Sequence, residues 1–471
     1  MLCAHEPTKD PRIRWEAEFG SESFDVDVLG FNDLGGGLLA EERVGNYVMH
    51  RLAQTPYPFY AYFWCFQRLI SLRMRVILGI LLSPLLPVVI AAEILYRMAY
   101  FIVRPLVGLA RTASLKLWST RQIVQLLRMA RRGLREWPAY RKRIGRVHYV
   151  VALLRVQFAP AAVLFWNYIC NLQQKPNVVH CNDLDTLLVG VLAKKHFGCR
   201  VVYDAHEFYP FSDPEGSWVD TTFFRLLEQF LIKRADAVVT VNHLLAEEFR
   251  KTYSLARVHS VPNAEPWLDG HRRPLCTRMT DLANGRVKFL FQGRYSPGRG
   301  VEELIRAWSG VDGKAAALFL RGPANIWSDN YIALAADLGL LNRSVYFLDA
   351  VTEDELVSAA AEADVGIITY KPDVGGYKFA CPNKLSQYLH AGLLVLTNDL
   401  PYVREVLDNS KAGLSYNSTD PATLQKVVDR LVTDPEFLRR GRMNALNFAR
   451  GEFNWQHYSH TLHDLYSSAT K

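Results

Sequence analysis

Cys381-Pro-Asn-Lys-Leu-Ser-Gln-Tyr-Leu-His-Ala-Gly-Leu-Leu-Val-Leu-Thr-Asn-Asp399 is the stretch that decides the reading of this chain. Pro382 suits a first helical position, where its missing N–H costs nothing. Leu385, Tyr388 and Leu389 recur at i, i+3 and i+4, which makes one apolar helix face. Gly392 supplies a left-handed cap, and Leu393-Leu-Val-Leu396 has the length and composition of a buried parallel strand. The start of a helix, with free N–H groups, attracts anions. Lys384 adds a full positive charge there, and Gln387 offers an amide one turn further on. An ordinary helix–strand unit of a doubly wound sheet accounts for the apolar pattern. It does not account for Asn383-Lys384 at the helix mouth.

Upstream, Val287-Lys-Phe-Leu-Phe-Gln-Gly293-Arg294-Tyr-Ser-Pro-Gly298-Arg299-Gly300 repeats the arrangement: a strand, a glycine turn, then a helix from Val301. Two guanidinium groups, Arg294 and Arg299, fall at that helix mouth, and guanidinium is suited to bidentate phosphate contact. Ala316–Gly322, Val345–Asp349 and Ala363–Tyr370 read as further strands, and Gly375-Gly376 in the loop after Tyr370 leaves room for backbone N–H groups to approach a ligand. The same alternation fills the preceding part. Asn177-Val-Val-His180 is a strand end followed by Cys181-Asn-Asp183-Leu-Asp185-Thr; Arg200-Val-Val-Tyr203 is a strand followed by Asp204-Ala-His206-Glu207; Ala235–Asn242 is another. Ligands bind at the carboxyl ends of such strands. Helix capping by Asp183 and Asp204 is the alternative use of those acids, and we prefer capping to metal binding for Asp183 or Asp185.

These segments together resemble glycosyltransferase family 4, a group of retaining enzymes with the two-domain GT-B fold. The carrying motifs are Pro382-Asn383-Lys384-Leu385, the Gly293…Arg299-Gly300 turn, and Cys181-Asn-Asp-Leu-Asp-Thr-Leu with Tyr203-Asp-Ala-His-Glu207. The resemblance implies two doubly wound Rossmann-like α/β domains facing a cleft. It puts Gly293, Arg294, Arg299, Asn383, Lys384, Leu385 and Gln387 on a nucleotide-sugar, and gives Arg294, Arg299 and His206 the catalytic work. Asp10, Arg12, Asp183 and Glu207 fall to the acceptor side. The chain departs from the family pattern at the ribose-binding glutamate, here Gln387, and at a second glutamate eight residues earlier, here Phe379. Restoring a glutamate at 387 is therefore expected to preserve or raise nucleotide affinity.

The expected domains are residues 1–261, residues 262–450, and a helix over 451–471 that crosses back to the first. Met1 to Trp15 reads as a very short strand broken at Pro7 and Pro11, and Phe24–Gly30 as a second strand. Within the first domain, about residues 70–146 depart from the pattern. Val76 to Ala92 carries no charge, Pro84 and Pro87 would kink it as a helix, and thirteen Lys or Arg against Glu136 alone lie between Arg97 and Arg146. That window outweighs the chain's net charge of +8, so the remainder is acidic. Because both flanks must join one sheet, the insert is expected to dip into one leaflet or lie in the interface, with its basic part on anionic lipid headgroups.

The expectation is thus a monotopic enzyme at the cytoplasmic face of the cell membrane, moving a sugar from a UDP- or GDP-sugar to a polyprenyl-diphosphate-linked acceptor. No metal or other cofactor is expected, and no nucleic acid. Seven scattered cysteines with no Cys-x-x-Cys argue for reduced thiols and against a zinc site. A nucleotide-sugar epimerase of the same fold and a non-catalytic partner subunit remain as alternatives.

Overall fold

The computed structural model describes residues 1–32, 38–58, 60–69, 150, 153–212, 218–269, 275, 278–371 and 375–468. Residues 1–53 with 175–471 form one compact unit, and residues 54–174 a second. Most of the apolar and basic insert, with its expected membrane contact, lies outside the described residues. Among those described, no helix is long and apolar enough to cross a membrane.

The larger unit contains two sheets. In the first, β1 (Asp27–Asn32), β2 (Glu41–Val44) and β3 (Tyr47–Ala53) run in the order β1-β3-β2. β4 (Val178–Asn182), β5 (Arg200–Ala205), β6 (Ala237–Thr240) and β7 (His259–Ser260) follow one another in parallel. Leu2 joins the two sets through parallel bridges to Leu29 and Cys181. Val-Val pairs in β4, β5 and β6 fill the sheet interior, as expected for strands covered on both faces. The β2–β3 hairpin is not foreseen in the sequence. Its turn, Gly45-Asn46, is a hairpin signal, but β2 alternates only between exposed and half-buried residues.

One early expectation changes. Pro11 does not break a strand: Asp10 caps and Pro11 opens the helix Pro11–Gly20, since proline fits a first turn. That helix packs against the carboxyl-terminal helix Trp455–Ser467, where Trp15 and Trp455 meet at 5.7 Å beneath Val202, Val239 and Val261.

The second sheet is wholly parallel, in the order β10-β9-β8-β11-β12-β13. Its strands are β8 (Val287–Gln292), β9 (Ala316–Arg321), β10 (Val345–Leu348), β11 (Val365–Ile368), β12 (Leu394–Thr397) and β13 (Gly413–Ser415). Phe289, Phe291, Leu318, Leu320, Ile367 and Leu396 meet Leu304 and Trp308 of the helix Val301–Trp308 in the core. Gly366 of β11 has a packing reason: a Cβ there would lie 2.3 Å from the Tyr388 ring. Tyr388 in turn accepts from the Gln292 N–H at 2.8 Å, which fixes the helix Asn383–His390 over β8. Pro382 stands at the N-cap in extended conformation rather than inside the helix, and Gly392 adopts the expected left-handed backbone at φ 70°.

In the smaller unit, Tyr62 of the helix Tyr60–Phe66 meets Phe158 edge-on at 5.6 Å, and Cys65 Sγ lies 3.8 Å from the Ala162 carbonyl. Wide helical turns at Leu154–Phe158 and Ala161–Phe165 flank Pro160, whose ring and missing N–H disrupt the ordinary ladder.

Candidate active site

The carboxyl ends of the two sheets face an open cleft, lined by His206 and Glu207 from one half and Gly293, Arg294, Arg299, Asn383, Lys384 and Gln387 from the other. Two helices, Val301–Trp308 and Asn383–His390, begin at this cleft without a side-chain cap. Their first N–H groups are therefore available to an anion.

Lys384 is 8% exposed, with Nζ 4.9 Å from the Phe291 ring centre and 5.3 Å from that of Tyr370. Among the described residues no carboxylate pairs with it. Burial first, and then Arg299, holds its pKa well below the usual lysine range. Gly293, at φ 138°, permits this approach, because a Cβ there would lie 3.1 Å from Lys384 Cε. Arg299 is half-buried, donates to the Tyr370 hydroxyl, and lies 4.8 Å from the ring centre of Tyr370 and 5.7 Å from that of Tyr377. Arg294 is exposed on the cleft wall. Leu385 is different: it is fully buried in the core and does not line the cleft.

On the opposite wall, His206 Nδ1 lies 3.3 Å from Asp10 Oδ2, and Nε2 lies 3.1 Å from Asn182 Oδ1. Asn182 donates its Nδ2 to the Leu2 carbonyl at 3.1 Å, so its oxygen faces the ring. Both ring nitrogens thus face acceptors, and His206 is an imidazolium. Burial works against that charge, but Asp183 and Asp10 outweigh it and push the pKa up to about 10. Asp183 occupies the N-cap position of Leu184–Phe197 without capping it. Its Oδ1 accepts the His206 backbone N–H at 3.2 Å instead, and its backbone is held at φ 60°, ψ 169°. A non-glycine residue there stores about 1–3 kcal/mol, a cost typical of residues aimed by a functional site. The expected capping by Asp183 is therefore absent.

Arg12 does not reach the cleft. It is 1% exposed and donates to Asp204 through Nε at 2.9 Å and Nη2 at 2.7 Å, and to the Val261 carbonyl at 2.8 Å. Asp204 is thus an ion-pair partner, not a cap. Glu16, His180 and Asp204 bring three potential metal-ligating atoms together, but the Arg12 guanidinium already contacts both carboxylates there. Glu207 lines the cleft as an exposed side chain, and the partial desolvation there, together with Asp183, pushes its pKa up to about 7. Asp10 stays in the charged network through His206 while also capping its helix.

Phe379, at the position of the missing glutamate, packs 6.1 Å from Phe208, and its carbonyl accepts from Asn242 at 2.7 Å. Gly376 lines the cleft and has a packing reason as well: a Cβ on it would lie 2.6 Å from the Phe211 carbonyl.

The profile of the Glycosyl transferase 4-like domain matches residues 108–264, and that of Glycosyl transferases group 1 matches residues 286–434, together more than half of the chain. The chain is a glycosyltransferase of the family 4, GT-B type. The first match begins inside the segment that had shown no family likeness. No curated protein matches the glycosyltransferase in sequence. Its fold is similar to that of sucrose-phosphate synthase from Thermosynechococcus elongatus, at TM-score 0.64 and 12% identity over 99% of this chain and 97% of that one. It is also similar to the α,α-trehalose 6-phosphate synthase of Burkholderia multivorans, at TM-score 0.61 and 13% identity over 100% and 97%. HepE of Anabaena, solved with UDP and glucose, aligns at TM-score 0.53 and 17% identity over 66% of the glycosyltransferase and 81% of HepE.

Two residues of the site escaped the sequence reading. Asn182 had been read only as part of the strand-end motif, yet its oxygen faces His206 Nε2 at 3.1 Å. Tyr370 had been read only as a strand end, yet it shields both Arg299 and Lys384.

Proposed function

We propose that this glycosyltransferase moves a sugar from a nucleotide-diphosphate sugar to a lipid-linked acceptor, a polyprenyl-diphosphate-linked saccharide, with retention at the anomeric carbon. The observation that carries the donor half is the pair Arg299 and Lys384, two basic side chains that among the described residues have no carboxylate partner, at the mouths of two uncapped helices. A departing diphosphate gathers negative charge, and preorganised cations and N–H groups lower the energy of that state. They do the work of a divalent ion, so transfer is expected to persist in chelator. UDP is the favoured base carrier because HepE was solved with UDP-glucose, and a Burkholderia vietnamiensis neighbour is a UDP-forming synthase. Glu207, with its pKa near 7, is suited to take the proton of the incoming hydroxyl.

The acceptor half rests on the uncharged run from Val76 to Ala92 and the basic window after it, which suit a surface of anionic lipids at the cytoplasmic face. The test is incubation of membranes with radiolabelled UDP-sugar, followed by solvent partition. Label is expected in the lipid phase, and replacing Leu81, Leu82, Leu85 and Leu86 by Ser should abolish that transfer while leaving UDP affinity intact. Label confined to water-soluble products, or a free epimerised sugar, would overturn the lipid-acceptor reading.

A further inference from the structure

The residues that lead into the helix Asn383–His390 are gripped by two side chains from the first sheet. Asn242, just after β6, donates Nδ2 to the Phe379 carbonyl at 2.7 Å. Asn263, just after β7, donates Nδ2 to the Cys381 carbonyl at 3.0 Å. Neither amide is free to turn over. Asn242 Oδ1 accepts the Leu245 N–H at 2.9 Å as the cap of the helix His243–Tyr253. Asn263 Oδ1 accepts from Arg12 Nη1 at 3.2 Å, and a guanidinium can only donate. In both cases the oxygen is committed within the first half, and the NH₂ reaches across to the second.

The Arg12 guanidinium that aims Asn263 is anchored on the His206 wall. Its partner Asp204 brings Oδ2 to 3.8 Å from His206 Nε2, and Asp10, two residues before Arg12, lies 3.3 Å from His206 Nδ1. On the other side, the peptide bond after Cys381 is planar and the Pro382 ring fixes φ, here −73°. A pinned Cys381 carbonyl therefore passes its orientation directly to the start of the helix that carries Lys384.

On the donor-site reading above, we propose that Asn242 and Asn263 are positioning residues that set the donor diphosphate at its working distance from His206 and Glu207. Lys384, Arg299 and both uncapped helix mouths belong to the second half, and Tyr388 fixes the helix Asn383–His390 over β8 without help from the first. The nucleotide is thus held with or without the two asparagines. What they add is the placement of that helix mouth against the opposite wall, where transfer takes place.

The test replaces each asparagine by aspartate, which keeps the oxygen that Leu245 or Arg12 needs and cannot donate to a carbonyl. Only the bond across to the second half is lost. By calorimetry, Asn242→Asp and Asn263→Asp should bind UDP within about twofold of wild type. Transfer from radiolabelled UDP-glucose to membrane lipid should fall about tenfold in each, the scale of one lost hydrogen bond. The double variant should lose less than the product of the two, since both bonds hold one segment. Amide exchange over residues 376–385 should quicken in both variants with no substrate present, while β6 and β12 keep their protection. Asn263→Ala, which gives up both bonds, should lose at least as much transfer as Asn263→Asp. Unchanged exchange over 376–385 or transfer at the wild-type rate would overturn the proposal. A loss of UDP affinity as large as the loss of transfer would do so too, because it would make the asparagines structural. A wild type that does not bind UDP removes the donor-site reading itself, and this proposal with it.

Discussion

Replacing Lys384 by Met should make the free protein more stable and the enzyme worse. The side chain buries a basic nitrogen that, among the described residues, has no carboxylate partner and meets the rings of Phe291 and Tyr370. Ring contacts of this kind return roughly 0.5–2 kcal/mol, while an unpaired buried charge costs several kcal/mol after relaxation. Methionine keeps the packing and removes the charge, so a net gain of about 1–2 kcal/mol is expected. A charge-assisted contact to diphosphate is worth about 1.5–3 kcal/mol, so UDP affinity should fall roughly 10- to 100-fold. Because the pKa of Lys384 is depressed in the free protein, a bound diphosphate should also draw a proton onto it. Calorimetry in buffers of different ionisation enthalpy should show proton uptake for wild type and none for Lys384→Met. A variant that melts lower than wild type and binds UDP equally well would refute this reasoning, since the ammonium would then have a structural partner.

His206 is charged in the fold to about pH 10, against about 6.5 when unfolded, so its stabilisation is complete below pH 6.5 and is lost as pH rises toward 10. Chemical denaturation across that window should show a slope that His206→Gln lacks, at up to about 1.4 kcal/mol per pH unit. Glu207→Gln should lower kcat by about 10²-fold with little change in UDP affinity, and should remove the pH limb near 7; an unchanged pH profile would exclude it as the base. Gly366→Ala should cost about 1–3 kcal/mol by pushing Tyr388 off β11, and UDP binding should weaken with it because that helix carries Lys384 and Gln387; thermal melts and titration check both.

The parallel strands were legible because β8, β9, β11 and β12 are mostly apolar runs ended by glycine or polar loops, and burial on both faces requires such runs. Arg299 and Lys384 were legible because each follows a strand and turn at a helix start, which is a local pattern. What escaped was fixed by distance in the chain. Arg12 was assigned to the acceptor side, but its partner Asp204 lies 192 residues away and draws it into the core. The charge of His206 depends on Asp10 and on an asparagine held by the amino terminus, contacts that no local spacing encodes. The β2–β3 hairpin was missed because its first strand buries too little to impose a clear alternation.

The most direct test of the account is titration of UDP-glucose, with UDP as competitor, into wild type, Arg299→Ala and Lys384→Met. The cleft reading predicts saturable binding by wild type, displaced by UDP, and losses in the single variants that do not add in the double variant, because both cations hold one diphosphate. Binding by both variants as tight as by wild type would place the nucleotide elsewhere and contradict the account.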